Sequence, residues 1–289
     1  MKAPADCQGG SNGANSADAF ATALPAMMPD PVEQPWIVVM AVMVLLIGIE
    51  ELVMRGKQAA GSARIATNFL LYALGTGLAL LVTAVSPIGA AYSGKTLIPG
   101  FGLIPWLNLP WAAGLAALFL VDSLLGYWLH RASHRFMPLW RLHAVHHSDP
   151  VLDVSTSIRH HPFEALPALA VTLTAIAICG ASPVQSVIVG LTGAVWALTT
   201  HAAVAETPLP FPRPLGFMVS PAFHRLHHSS EPGQTNSNYA SVLAMWDWLF
   251  GTARDPAGEK AGPIGLGPRH DATQGLALQL LLPFRRAAP

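Results

Sequence analysis

Residues 109–147 read LPWAAGLAALFLVDSLLGYWLHRASHRFMPLWRLHAVHH, an apolar run that ends directly in histidines. Leu109 to Leu129 meets the roughly 20 apolar residues that a bilayer-crossing helix needs, interrupted by a single acidic residue, Asp122. Past Leu129 the pattern changes at once. His130 and His134 stand four apart, and His143, His146 and His147 follow as HAVHH. A later box, HRLHH, repeats that spacing with His224, His227 and His228. Spacings of three and four put side chains on one face of a helix, so each box can aim two or three imidazoles at one point. Eleven of the twelve histidines fall between His130 and His228. Neutral imidazole is a common ligand for zinc, copper, iron and nickel, and nitrogen donors without thiolates do not describe a structural zinc knuckle. The pattern implies bound metal, held by more nitrogens than one ion needs.

Composition says where such a site would sit. Of 289 residues, 52% are hydrophobic and only 11% charged. A soluble domain carries roughly a quarter charged residues, so an integral membrane protein is expected. Zero net charge without a dense Lys/Arg stripe argues against a nucleic-acid partner. Cys7 lies in a polar stretch and Cys179 in an apolar run, so neither a disulfide framework nor a thiolate ligand is expected. Cys179 reads as a small apolar packing residue.

Working outward, residues 1–31 are rich in Gly, Ala, Ser, Asn and Pro and read as a disordered tail. They lack the basic start and apolar core of a signal peptide, so the tail is expected to stay on the mature chain. Further apolar runs cover Trp36 to Met54, Ile65 to Val85, Leu166 to Gly180 and Pro183 to Val204. The last two are separated only by Gly180-Ala181-Ser182-Pro183 and read either as two spans or as a tight hairpin that does not fully cross. In both cases their outer ends face the same side.

Basic residues set the orientation. Arg55, Lys57 and Arg64, then Arg131, Arg135, Arg141 and Arg159, then Arg213, Arg225 and later cations all fall on one side. Only Lys2 and Lys95 fall on the other. The basic side is expected to be cytoplasmic, and it carries every histidine box. Ser86 to Pro110 reads as an irregular outer loop, with Trp106 and Trp111 suited to the headgroup region. Leu276 to Phe284 is too short to cross and reads as an interfacial helix.

The expected fold is therefore all-α: a polytopic membrane bundle of about four or five helices with a cytoplasmic histidine-rich helical cap. The expected division is a tail at 1–31, membrane helices and outer loop at 32–112, a catalytic domain at 113–255 and a C-terminal tail at 256–289.

Each motif has a plainer reading. Histidines at helix ends can merely suit an interface, but three boxes on one membrane side outweigh that account. Asp122 lies eight residues before His130 and so shares its face. It reads either as a carboxylate orienting the imidazole through its other N–H or as a helix–helix hydrogen bond inside the bundle. Trp246, Trp248 and Phe250 read as packing.

The order of the boxes, with their surroundings, resembles the fatty acid hydroxylase / sterol desaturase superfamily of membrane di-iron enzymes. The match includes Tyr127-Trp128-Leu129-His130-Arg131, Leu139-Trp140-Arg141-Leu142-His143 and His146-His147-Ser148-Asp149-Pro150. It continues in Arg159-His160-His161-Pro162-Phe163-Glu164, Ser220-Pro221-Ala222-Phe223-His224 and the signature Asn238-Tyr239-Ala240 with Trp246-Asp247-Trp248-Leu249-Phe250-Gly251-Thr252. Two departures stand out: Ala240 replaces the usual Gly, and Ala-Ala follows His201 instead of a polar pair.

The resemblance implies ten histidine ligands, with His161 and His201 joining His130, His134, His143, His146, His147, His224, His227 and His228. His160 reads as a neighbour of the ligands and His270 as exposed to solvent. Glu164 and Asp149 are further candidates for carboxylates that orient a ligand.

Two metals at a membrane face suit oxidation of a hydrocarbon, because unactivated C–H bonds resist acid–base and nucleophilic chemistry and the cofactor must carry the hard step. The resemblance implies two iron ions and hydroxylation or desaturation of a lipid: fatty acyl, sterol, ceramide-like or carotenoid. Nitrogen-rich sites also bind zinc tightly, so purified protein can carry zinc instead. The sequence holds no His-Pro-Gly-Gly element, no G-x-G-x-x-G fingerprint and no cysteine cluster. Electrons from NAD(P)H are therefore expected through a separate ferredoxin or cytochrome b5. A membrane zinc hydrolase is disfavoured by the absence of H-E-x-x-H and by a ligand number above three. A transporter would place ligands at the midplane, and a bis-histidine haem anchor would need paired histidines within facing spans.

Overall fold

A computed structural model of the chain describes residues 35–53, 61–85, 100–203, 217–267 and 275–285. The expected tail with Cys7, the loop at 86–99, and His270 lie outside these residues. The described part is helical. Five long helices form the bundle: α1 (Pro35–Val53), α2 (Ser62–Val85), α3 (Trp111–Arg135), α5 (Ala165–Cys179) and α6 (Pro183–His201). Between α3 and α5 lies α4 (Met137–His147), followed by 3-10 turns at Val154–Ile158 and Pro162–Glu164. Short helices α7 (Pro221–His227), α8 (Met245–Leu249) and α9 (Leu276–Leu281) complete the cap.

Among the described residues, four segments are long and apolar enough to cross a membrane: Ser62–Val85, Trp111–Arg135, Pro162–Cys179 and Pro183–His201. The first expected span forms the helix Pro35–Val53, within which Val39–Glu50 is a shorter apolar stretch among the described residues. The outer faces of these helices expose Val44, Leu45, Leu74, Leu80, Leu81, Val85, Leu120 and Ile178. A soluble monomer rarely carries so large an apolar surface, so this belt is the lipid-facing surface.

The far end of the bundle is closed by local chemistry. Gly180 ends α5 at φ 65°, where a Cβ would collide with the carbonyl oxygen of Phe101. Ser182 and Gln185 form a capping box at the start of α6, and Gln185 Nε2 donates to the Trp111 carbonyl at 3.0 Å. The starts of α3 and α6 are thus tied together. Leu118, Ala175, Cys179 and Val189 pack between α3, α5 and α6, with Cys179 buried as a free thiol. Trp106 and Trp111 are exposed at this end, as headgroup residues would be.

The near end is held by buried polar contacts. Arg64, near the start of α2, bridges Asp149 at 2.6 Å and Asp153. Asn68 donates to Asp149 at 3.3 Å and to Ser155 at 3.0 Å, and accepts from Arg159 at 2.8 Å. Glu50 of α1 accepts the backbone N–H groups of Val154 and Ala203. Asp153 and Thr156 form the capping box of the first 3-10 turn. The ends of α1 and α2 are thereby fixed to the loop that follows α4. Breaking a buried ion pair of this kind costs about 3–5 kcal/mol.

The cap forms because α3 stops sharply. Phe136 is extended (φ −105°, ψ 118°), and Pro138 sits in the first turn of α4. The chain therefore turns beneath the bundle before the second histidine box. The α9 segment lies against α4 and the end of α2: Leu282 packs with Leu71 and Val145, while Gln279 accepts from Ser148 at 3.0 Å. Its outward residues Leu278, Leu281 and Phe284 are exposed, an amphipathic pattern suited to an interface.

Candidate metal centre

Helix geometry sorts the histidines into two sets. On a helix, residues four apart overlie more closely than residues three apart, while immediate neighbours diverge. His130 and His134 of α3 stay together, and so do His143 and His147 of α4; with His227 of α7 they form one group. His146, one residue from His147, turns away and meets His201, His224 and His228 in a second group. Within each group the candidate ligand atoms lie within 4.8 Å of one another. Metal–nitrogen bonds of about 2.0–2.1 Å place two ligands of one ion up to roughly 4 Å apart, so each group approximates one coordination sphere.

The outward ring nitrogens are largely committed. His130 Nδ1 lies 2.6 Å from the Tyr239 carbonyl, His201 Nδ1 2.7 Å from that of Ala197, and His227 Nδ1 2.8 Å from that of Ser237. His146 Nδ1 faces the Arg159 carbonyl at 3.3 Å, and His143 Nδ1 faces Glu164 at 2.6 Å. A carbonyl or carboxylate can only accept, so these contacts select the Nδ1–H tautomer and leave the Nε2 lone pairs inward.

Those lone pairs crowd one another. The Nε2 atoms of His130 and His143 are 3.0 Å apart. In the second group the Nε2 separations are 3.2 Å for His146–His201, 3.0 Å for His201–His224 and 3.1 Å for His224–His228. His134 Nε2, His147 Nε2, His227 Nε2 and His224 Nδ1 are buried without any hydrogen-bond partner. Orphaned buried nitrogens are costly unless something else satisfies them. A cation in the first group would satisfy the three Nε2 atoms. One in the second would take the clustered Nε2 lone pairs of His146, His201, His224 and His228. The all-imidazole donor set suits iron or zinc.

Charge state agrees with that role. Burial pushes His146, His147, His224 and His228 well below the usual histidine range, aided by neighbouring imidazoles. His227 falls to about 3 for the same main reason. All five are neutral near pH 7, the form that binds metal.

Not every expected residue joins these groups. His161 accepts from the Phe163 N–H at 3.2 Å, and its Nε2 lies 3.3 Å from the Leu280 carbonyl. The structure places it apart from both groups, away from the ligand position that the resemblance implies. The cause is local. His161 is extended (φ −63°, ψ 136°) where it caps the second 3-10 turn, and neighbours along an extended chain point to opposite sides.

His160 takes the inward position. It stacks on His146 at 4.4 Å with an 8° interplanar angle and meets Glu164 at 3.1 Å. With His143 and Glu164 it forms a third cluster of potential ligands. Burial opposes charging of His160, but the adjacent Glu164 carboxylate outweighs it and raises its pKa.

Asp122 does not reach His130. Eight residues of helix span about 12 Å, and its carboxylate instead accepts from Thr172 of α5. The orienting role expected as one alternative gives way to the helix–helix hydrogen bond. Asp149 is engaged by Arg64, Asn68 and Thr156 and touches no histidine. Glu164 does face the cage, between His143 and His160.

One support was not singled out from the sequence. Asp247 accepts the N–H groups of Tyr239 and Ala240, each at 2.8 Å, and the Thr252 hydroxyl at 2.7 Å. Its position in the WDWLFGT signature was the available signal. Ala240, where the resemblance expects Gly, is outside the positive-φ region; the left-handed residue is Asn238, at φ 52°. Asn238 holds that turn by donating to the Phe223 carbonyl at 2.8 Å and accepting from the Arg254 N–H at 2.7 Å.

Comparison with known proteins places this arrangement. Residues 115–252 match the family described as fatty acid hydroxylase. The chain is 33% identical over 161 residues to the ornithine lipid hydroxylase OlsE of Rhizobium tropici, covering 55% of this chain and 47% of that protein. It is 28% identical over 149 residues to alkylglycerol monooxygenase of Danio rerio, covering 51% of this chain and 32% of that one. With the Delta(7)-sterol-C5(6)-desaturase of Nicotiana tabacum it shares 26% over 151 residues, 50% of this chain and 52% of the other. The aligned region thus spans between a third and about half of the length of these relatives. No solved structure matches the chain.

Proposed function

Because residues 115–252 belong to the fatty acid hydroxylase family, we propose that the protein is a membrane oxidoreductase that hydroxylates or desaturates a lipid with O2 at a two-iron centre. The observation that carries this reading is the pair of inward-facing, buried imidazole groups at one end of a bundle of membrane-length helices. His130, His134, His143, His147 and His227 would hold one ion; His146, His201, His224 and His228 would hold the other.

Iron bound there supplies the electron transfer and oxygen reduction that let an unactivated C–H bond be broken. The overall balance is fixed by chemistry. In hydroxylation one oxygen atom enters the lipid and the other leaves as water, consuming two electrons and two protons. In desaturation both oxygen atoms leave as water: the lipid gives up two hydrogens, and the external donor again supplies two electrons with two protons.

The protein's own part is to orient and exclude. The carbonyls of Tyr239, Ser237, Ala197 and Arg159 keep ring tautomers fixed. Glu164 holds His143 and His160 together. Ala144, Val145 and Leu226, all fully buried, help close the cage to water. In this reading 113–255 is the catalytic domain, between the membrane helices of 32–112 and a tail at 256–289. The basic side is the cytoplasmic one, and an external donor of the ferredoxin or cytochrome b5 type supplies electrons originating in NAD(P)H.

Lipid extracts from cells with and without the active chain test the proposal. A class of lipid should gain one oxygen or lose two hydrogens, and only under air. Identical lipid profiles, with both metals bound and reductant supplied, would overturn it.

A further inference from the structure

A groove of about 530 Å³ runs between α2 and α5 and opens at its head onto His160 and Glu164. Leu71 and Ile158 line the head, Gly75 and Ala79 the middle, and Thr83 and Leu173 the far end. From Leu71 to Thr83 the helix rises about 18 Å, close to the half-thickness of a hydrocarbon core of about 30 Å. The groove therefore runs the depth of one leaflet.

Its wall is less polar than its composition suggests. The Thr83 hydroxyl donates back to the Ala79 carbonyl at 2.8 Å, and Thr172 is engaged by Asp122. Small residues, Gly75 and Ala79, line its middle, where Gly75 brings α2 close to the second 3-10 turn: a Cβ there would lie 3.6 Å from Pro162 Cα. A second cavity, of about 500 Å³, reaches the cage from another side, past His134 and Tyr239. Arg131 and Arg135 line that one, so it does not suit a hydrocarbon.

We infer that the groove between α2 and α5 holds one unbranched hydrocarbon tail of a bilayer lipid, methyl end toward Thr83 and Leu173. Three observations fix the occupant: the leaflet-deep length, the engagement of the Thr83 and Thr172 hydroxyls within the protein, and continuity through His160 and Glu164 with the His143–His160–Glu164 cluster. A polar headgroup cannot sit at the deep end, inside the hydrocarbon. The carbons passing His160 and Glu164 are therefore those nearest the head. Resting on the oxidation reading, this places the oxidised carbon near the polar end of the tail.

The test uses the full chain in phosphatidylcholine vesicles doped with phosphatidylcholines whose tail carries a diazirine at successive depths. After irradiation, label should move from peptides containing Ile158 to those containing Ala79, Thr83 and Leu173 as the diazirine approaches the methyl end. It should exceed the label on outward-facing Leu45 of α1. Gly75→Leu and Ala79→Phe should each lower groove labelling several-fold with metal content unchanged.

Label that tracks depth no better in the groove than at Leu45 would overturn the inference. So would preferential labelling of the groove by a diazirine sterol, or product oxidised in mid-chain. Depth-dependent labelling needs no variant, so a misfolded substitution cannot rescue the idea. If the groove labels as expected but no lipid is oxidised, the oxidation reading fails alone; if lipid is oxidised and the groove does not label, the groove fails alone.

Discussion

Asp247 reaches His130 through the backbone of Tyr239. Its carboxylate accepts the Tyr239 N–H at 2.8 Å, and the carbonyl of the same residue lies 2.6 Å from His130 Nδ1. Asp247 is fully buried and also accepts from Ala240 and Thr252. The C-terminal signature therefore positions a histidine more than a hundred residues earlier in the chain.

Replacing Asp247 by Asn puts a donor where one of these N–H groups now finds an acceptor. An unsatisfied buried group costs about 1–3 kcal/mol, so Asp247→Asn should lower the melting temperature. It should also loosen metal in the His130 group before the other. Elemental analysis after mild chelation reads this; full retention of both metals at an unchanged melting temperature would refute it.

Among the described residues, Glu164 is the carboxylate that meets the cage histidines. Glu164→Gln keeps an acceptor for His143 or His160 but not the charge that holds both. Loss of such a support typically weakens metal binding by about 10–100-fold. Metal titration should rank wild type above Glu164→Gln and that above Glu164→Ala. An Ala variant equal to wild type would remove Glu164 from the site.

Histidines inside and outside the two groups should separate cleanly. His146→Ala and His227→Ala are expected to abolish O2-dependent turnover while membrane insertion persists. His161→Ala should keep its metal and lose its turn-capping contact, worth about 0.5–2 kcal/mol, together with its contact to the Leu280 carbonyl. Metal loss in His161→Ala as deep as in His146→Ala would contradict its placement.

Acid should undo the metal-free protein. The folded pKa of His227 is about 3, below its ordinary 6.5, chiefly through burial. Below 6.5 the unfolded chain binds the proton that the folded chain refuses, so stability falls as pH drops from 6.5 toward 3. The slope approaches about 1.4 kcal/mol per pH unit for each such histidine. His146, His147, His224 and His228 shift in the same direction. Thermal unfolding of the metal-free protein between about pH 7 and pH 4 measures this; a flat profile would mean that these rings are not buried neutral.

The polar clamp at the near end should matter for both groups at once. Arg64→Ala leaves Asp149 and Asp153 buried without their cation, an effect of about 3–5 kcal/mol. Unfolding in detergent should shift accordingly, with metal lost from both groups. A stable variant with one group emptied would disprove a shared scaffold.

Much of this was legible along the chain because the relevant physics is local. Apolar runs of membrane length become helices wherever they occur, since the bilayer leaves no other partner for their backbone. The i, i+4 pairs His130–His134, His143–His147 and His224–His228 stay together for the same local reason. Basic residues and boxes shared one set of helix ends before any contact was known, and the motifs from Tyr127 to Thr252 sufficed to suggest the family.

Only the tertiary structure decided which imidazoles meet. His227 meets His130 and His134 of α3, while His224 of the same short helix meets His201 of α6. His160 turns inward and His161 outward through one extended residue. Asp122 finds Thr172 on a neighbouring helix instead of a histidine two turns along its own. Such pairings depend on how distant elements dock, and periodicity reports one helix at a time. Sequence made the ligands and the membrane; packing chose their partners.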